Sequence, residues 1–158
     1  GAAVYPISAI YLHLMAVMDY MSMRQTDRAK AHLLTAWEIA RPDDLIEGFG
    51  EHHWLLGAMP DAAIKPKWPE EFRRIIDITY RFSAGWRRVH NPLTGHDVAD
   101  DLTTTEFAIA MLAARDWTTQ EIAEHLKISA NTVKTHISEA MRKLDVETRK
   151  DLKQHMLL

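Results

Sequence analysis

Apolar residues at helical spacing predict two consecutive helices joined by a tight turn near the C-terminus. Thr118 and Glu121 have the spacing of a capping box, and a short helix should run from there to Leu126. A two-residue turn follows, and Ser129 is placed to cap a longer helix that reaches Leu144. We therefore expect a short helix, a turn and a longer helix in this order.

The longer helix should bury one face and present hydrogen-bonding side chains on another. The buried stripe follows a period near 3.6 residues and consists of Val133, Ile137, Ala140, Met141 and Leu144. The outward stripe, at i, i+3, i+4 and i+7, consists of Asn131, Lys134, Thr135 and Ser138. Lysine donates to guanine acceptors and asparagine pairs with adenine. The pattern predicts a helix-turn-helix whose second helix, at about 129–144, reads base edges in the major groove.

A second set of side chains is better placed for DNA phosphates than for bases. Thr132, His136 and Lys143 lie on a neighbouring stripe, and Arg142 precedes Lys143 in the sequence. Gln120 adds an amide donor near the start of the preceding helix. Phosphate contacts position a recognition helix, whereas base contacts specify the sequence.

Two more helices should flank this pair. Thr103 and Glu106 repeat the capping box, and a helix should run from there to about Arg115. A fourth helix should begin near Thr148, with Asp151 three residues on. The expected domain thus has four helices, near the small end for independent folding.

Two runs in this region carry a family pattern, LTTTEFAIAMLA from Leu102 and TTQEIAEHLKISANTVKTHISEAMRKLDV from Thr118. Through them, residues 102–158 resemble the C-terminal DNA-binding domain of LuxR/FixJ/NarL-type bacterial regulators. The resemblance implies dimerisation through the last helix. It also implies base contacts at Asn131, Val133, Lys134 and Ser138, and phosphate contacts at Gln120, Thr132, His136 and Lys143.

The chain departs from the family pattern at two positions that are usually glycine. Asp116 stands where the first helix of the domain ends, and Asp145 stands where the recognition helix ends. Both positions should need a left-handed backbone, which Asp tolerates less well than Gly. We expect a small loss of stability and no change of fold.

The N-terminal residues 1–90 predict a different helical region. A mostly apolar helix should run from Ile7 to Met18 and break at 24–27, and Thr26 should cap a second helix that ends at Arg41-Pro42. This pair resembles one tetratricopeptide-like unit. Because such units depend on their neighbours, we expect upstream repeats to be missing from this chain.

A less regular segment follows the helix pair. We expect one short helix at 45–57, a loop shaped by Pro60 and Pro66, and a long helix that starts at Pro69 and ends before residue 91. Residues 91–101 should be the inter-domain linker. The region resembles the sensor part of MalT-like regulators, which implies a sensor or ATPase region further upstream. The chain has no GxxxxGK[ST] phosphate loop of its own.

Composition and charge narrow the function classes. The net charge is −3, but within 127–144 four basic residues face one acidic residue, so positive charge is local to the predicted reading face. There is no cysteine, no apolar run of membrane-spanning length and no secretory signal, so we expect a soluble, cytoplasmic protein. No arrangement of nucleophile, base and acid predicts an enzyme, and neither a cofactor nor a metal site is expected, His52-His53 included.

The leading hypothesis is a fragment of a bacterial transcription regulator that binds specific double-stranded DNA, as a homodimer. Two alternatives are a protein-interaction scaffold whose helix-turn-helix no longer binds DNA, and a module like sigma-factor region four that docks on polymerase. The near-zero charge of residues 102–158 favours the scaffold slightly. The intact run at 132–136 and the repeat-like N-terminal half favour the regulator.

Overall fold

The computed structural model describes residues 5–90 and 102–156, with side chains described for 5–82 and 102–156. The chain divides into two compact units, Gly1–Phe82 and Ser83–Leu158. Every regular element within the described residues is a helix, which confirms the predicted all-α fold. The predicted linker at 91–101 lies outside the described residues.

The N-terminal unit is built on a pair of packed helices. Its elements are α1 (Pro6–Ser22), α2 (Thr26–Ala40), a 3-10 turn (Arg41–Asp43), α3 (Glu47–Glu51), a second 3-10 turn (His53–Leu55), α4 (Met59–Ala63) and the start of α5 (Pro69–His90). The two helices pack against each other. Their buried apolar residues include Ile10, Leu14, Val17 and Met21 on α1 and Ala29, Leu33, Ala36 and Trp37 on α2, where Trp37 also contacts the rings of Phe49 and Trp68. The predicted helix pair is confirmed, and its tetratricopeptide-like character stays a prediction.

Three local predictions for this unit are wrong. Thr26 does not cap α2, because the amide of Gln25 already donates to the Tyr20 carbonyl at the end of α1 and α2 starts directly at Thr26. The single helix expected at 45–57 is divided into α3 and a 3-10 turn. Pro60 lies in the first turn of α4 rather than in a loop, a position where a missing amide hydrogen costs nothing.

The C-terminal unit contains the four predicted helices. They are α6 (Thr104–Ala114), α7 (Thr119–Leu126), α8 (Ala130–Lys143) and α9 (Arg149–Met156). Capping boxes at Thr103–Glu106 and Thr118–Glu121 are both present, and the Glu amides donate to the Thr hydroxyls at 3.2 Å in each. These caps use amides that the first turn of a helix leaves without partners.

Helix α6 is the centre of this unit. Its residues 108–114 are all buried, whereas α8 buries only the stripe Val133, Ile137 and Ala140. Helices α7, α8 and α9 each pack against α6, and α9 contributes Leu152 and Met156. The buried stripe predicted for α8 is confirmed at these three positions, and Met141 and Leu144 are half-buried at its edge.

An ion pair joins α6 to the end of α8. The Nζ of Lys143 donates to Glu106 Oε2 at 2.8 Å, and the two side chains are 24% and 8% exposed. The same oxygen accepts a hydrogen bond from the Thr103 amide at 3.0 Å. Burial raises the pKa of Glu106, but the hydrogen bonds from Lys143 and the Thr103 amide outweigh it, so this pKa lies below its usual value.

Left-handed residues end three of these helices. Asp116 follows α6 at φ +63°, Lys127 follows α7 at φ +55°, and Asp145 follows α8 at φ +55°. The left-handed backbone predicted at both aspartates is confirmed. Both aspartates are exposed, and Asp116 Oδ2 accepts a hydrogen bond from Lys153 Nζ at 3.2 Å.

Replacing Asp145 with glycine should stabilise the C-terminal unit by about 0.5–1 kcal/mol, since relief of left-handed strain exceeds the added entropy of the unfolded chain. Asp116→Gly should give a smaller gain, because it also removes the exposed ion pair with Lys153. Hydrogen exchange of buried α8 amides in the whole chain measures both free energies. Equal gains at the two positions would contradict the role given to Lys153.

The Glu106–Lys143 pair should make the C-terminal unit sensitive to acid. Because the pKa of Glu106 is lowered in the folded state, its stabilisation is complete above the unfolded value of about 4.3 and is lost as the pH falls through the folded value. Hydrogen exchange of α6 and α8 amides between about pH 5 and pH 3 should show this loss. Glu106→Gln should reduce the pH dependence, leaving the part due to Glu139, whose pKa the hydrogen bond from Arg142 lowers. An unchanged profile would contradict the assignment to Glu106.

Candidate nucleic-acid interface

The turn between α7 and α8 is fixed by backbone and side-chain hydrogen bonds. Lys127 takes the left-handed conformation, and the amide of Ile128 donates to the Ala123 carbonyl at 3.1 Å. Ser129 then caps α8 as predicted, with its Oγ accepting from the Thr132 amide at 3.1 Å. Ala123 is buried and small, so the two helices can cross closely at this point. The start of α8 is therefore held in one direction relative to α7.

The outward stripe predicted on α8 lies on the surface. Its members Asn131, Lys134, Thr135 and Ser138 are all exposed. The structure thus brings together one cation, one amide and two hydroxyls along about two turns of helix. Thr135 Oγ1 donates to the Asn131 carbonyl at 3.0 Å, so this hydroxyl offers acceptor capacity to a ligand, while Ser138 can donate or accept.

The prediction that Val133 contacts bases is wrong for the structure described. Val133 is fully buried, with 0% of its surface exposed. Its side chain packs in the core of the C-terminal unit, together with Ile137 and Ala140 on the same face of α8. The helical period predicted Val133 in the buried stripe, whereas the family resemblance implied a base contact. Only the first prediction agrees with the burial of this side chain.

The residues predicted to contact phosphate lie in different local settings. Thr132 is exposed, and its hydroxyl is 2.8 Å from Ser129 Oγ, while His136 is half-buried. Gln120 is exposed on α7, and its Nε2 donates to Glu124 at 3.0 Å. Both basic residues at the end of α8 pair with carboxylates, Arg142 with the half-exposed Glu139 at 3.1 Å and Lys143 with the buried Glu106.

Positive charge at the candidate interface is concentrated on two lysines. Of the four basic residues within 127–144, Arg142 and Lys143 are neutralised by ion pairs. Lys127 and Lys134 form no ion pair with any residue in the described parts of the chain. Lys134 thus presents an uncompensated cation on the outward stripe, and Lys127 presents another at the turn.

Two contacts that position this surface were missed from the sequence. One is the Glu106–Lys143 pair. The other is Arg149 at the start of α9, which donates to the Trp117 carbonyl at 2.7 Å and to Thr119 Oγ1 at 3.1 Å. Both join residues thirty or more positions apart in sequence. The only available signal was the type of residue, since a basic side chain can donate to a carboxylate or to a backbone carbonyl.

The adjacent histidines of the N-terminal unit have separate partners. His52 Nδ1 lies 3.0 Å from the Gly48 carbonyl oxygen, and His53 Nε2 lies 3.0 Å from Asp61 Oδ2. Within residues 5–82 and 102–156, no three potential metal ligands come together in a way that could hold an ion. None of the helices described there combines the length and apolar character needed to cross a bilayer.

Comparison with known proteins supports the interpretation of the C-terminal unit. Residues 100–156 match the family model GerE, described as bacterial regulatory proteins of the luxR family. The spore germination protein GerE of Bacillus subtilis (strain 168) is 50% identical to this chain over 48 residues, which cover 30% of the chain and 65% of that relative. No solved structure matches the chain significantly.

The family match starts at residue 100, so the MalT-like character predicted for the region before it stays a prediction. The matched residues include all four helices from α6 to α9 and both capping boxes. The helices α6 to α9 therefore form a helix-turn-helix domain, and residues 100–156 are similar to the luxR family of bacterial regulatory proteins.

Proposed function

We propose that this chain is part of a bacterial transcription regulator whose C-terminal unit binds specific sites in double-stranded DNA. The observation that carries the proposal is the exposed stripe Asn131, Lys134, Thr135 and Ser138 on a helix held by a capped turn. A helix of about 10–12 Å diameter fits the major groove, where each base pair presents a distinct pattern of donors and acceptors. In this proposal α8 enters that groove and α7 crosses the DNA backbone.

The side chains of the stripe suit different base edges. The ammonium of Lys134 can donate to O6 and N7 of guanine, and the amide of Asn131 can pair with N6 and N7 of adenine. The hydroxyl of Ser138 can bond to either kind of edge, and the hydroxyl of Thr135, which donates to the Asn131 carbonyl, can accept from N6 of adenine. Because all four lie on one side of α8, a single docking geometry brings them to consecutive bases of one half-site.

Phosphate contacts in this proposal come from residues around the stripe. Gln120 and Thr132 lie near the starts of α7 and α8, where the helix dipole also attracts anions. His136 and Arg142 lie further along α8. The Arg142–Glu139 pair is exposed, and such pairs contribute little to stability, so Arg142 can exchange its carboxylate for a phosphate.

The charge of the domain has a consequence for how it binds. Residues 102–158 contain eight basic and eight acidic residues, so general attraction to DNA is weak. We propose that the chain binds as a homodimer, because two half-sites read together supply affinity that one neutral domain lacks. We place this activity in the cytoplasm, where bacterial DNA lies. A regulator that reads DNA by these groups needs neither catalysis nor a cofactor.

Selection of bound sites from a random double-stranded library tests the function directly. The expected result is an enriched motif, in the form of an inverted repeat, whose binding weakens steeply as salt rises. If a forced dimer of the chain also enriches no motif, the proposed function is wrong, and a scaffold or polymerase-docking role becomes the better interpretation.

Lys134→Ala should weaken binding to the selected site by about 1–3 kcal/mol and relax preference at one base position. Fluorescence anisotropy with the selected duplex and single-base variants measures both effects. Lys30→Ala is the matched control, since Lys30 is also an exposed lysine and lies on α2 in the other unit. Specific binding that survives Lys134→Ala unchanged would show that the reading face is assigned incorrectly.

A further inference from the structure

Lys143 is the last residue of α8, and its side chain is held against α6. Nine residues separate it from Lys134, which is about two and a half turns, so the two lysines leave the helix on opposite sides. Its Nζ lies 2.8 Å from Glu106 Oε2, and only 24% of the Lys143 side chain is exposed. This position differs from that of Lys134, which is exposed and unpaired within the described residues.

The ion pair between Glu106 and Lys143 is costly to break. Glu106 is 8% exposed, and its Oε2 also accepts from the Thr103 amide that starts α6. Moving Lys143 to a DNA phosphate would leave a buried carboxylate without a cation, which is strongly unfavourable. An exposed lysine–phosphate contact is screened by salt, so its interaction free energy is much smaller than this cost. Binding of phosphate by Lys143 is therefore opposed by the fold itself.

From this geometry we propose that Lys143 is a positioning residue, which acts on DNA recognition through Glu106 by fixing the orientation of α8. The proposal rests on the function proposed above. One oxygen of Glu106 joins the N-cap of α6 to the last residue of α8, where Ala140 and Leu144 also pack against the core around α6. The tie thereby limits rotation of α8 about its axis, and with it the directions of Asn131 and Lys134.

This role predicts an effect on specificity rather than on general attraction. Hydrogen bonds to base edges require donors at defined positions, whereas phosphate contacts by flexible side chains tolerate displacement. Loss of the tie should therefore weaken binding to the selected site much more than binding to random duplex. The number of phosphate contacts stays the same, so the dependence of affinity on salt should not change.

Three variants of the whole chain test the proposal, namely Lys143→Met, Glu106→Gln and the double variant. Anisotropy titrations use the selected duplex and a random duplex over a series of salt concentrations, at a temperature where circular dichroism shows every variant folded. Each single variant should lose at least about tenfold in affinity for the selected site, with little change on random duplex. The double variant should lose no more than the single ones, because both remove the same interaction.

A direct contact between Lys143 and a DNA phosphate would give different results in the same experiment. If Lys143 contacts phosphate, Lys143→Met should lower the salt slope by about 0.9 and weaken both duplexes equally. Glu106→Gln should then free Lys143 and strengthen binding to random duplex. Either of these two results would overturn the proposal. It would also be overturned if the losses added up in the double variant, or if Lys143→Met bound the selected site as well as the original chain does. If the original chain itself selects no site, the proposed function fails first, and the role of Lys143 fails with it.

Discussion

The C-terminal unit depends on the complete burial of α6. Seven consecutive residues, 108–114, are buried, which a helix shows only when other elements cover it on every side. Helices α7, α8 and α9 supply that cover. The direction of the polar stripe on α8 is therefore set by packing against a central helix. Because packed interiors transmit small changes of volume, a substitution inside α6 should alter the reading face as well as stability.

The same packing uses part of the positive charge that a DNA-binding surface would otherwise present. Lys143 neutralises Glu106 in the interior, and Arg142 pairs with Glu139 at the surface. In the proposed function, Lys127 and Lys134 are the lysines of this segment that remain to attract phosphates and bases. With so little general attraction, non-specific binding should be weak, so discrimination between sites depends on the base contacts of α8. A low total charge is thus compatible with a selective reader.

Features that depend on residues three or four positions apart could be predicted from the sequence. The boxes at Thr103–Glu106 and Thr118–Glu121 and the buried stripe of α8 are of this kind. The start of α2 could not be predicted, because the turn that ends α1 fixes it in place of the Thr26 hydroxyl. The Glu106–Lys143 contact joins residues 37 positions apart, and only the packing of α8 on α6 brings them together.

Helix α8 is secured at its two ends by different means. At its start, the Ser129 hydroxyl and the left-handed Lys127 set the angle at which the helix leaves the turn. At its end, Lys143 and the packing of Leu144 set its rotation. Between the ends, the buried stripe Val133, Ile137 and Ala140 sets which face of α8 turns outward, but burial itself is not directional, so the exact rotation depends on the contacts at the two ends. Recognition of bases is directional, so the proposed function requires both ends of α8 to be fixed. A change at the Lys143 end should therefore affect specificity as much as a change in the outward stripe.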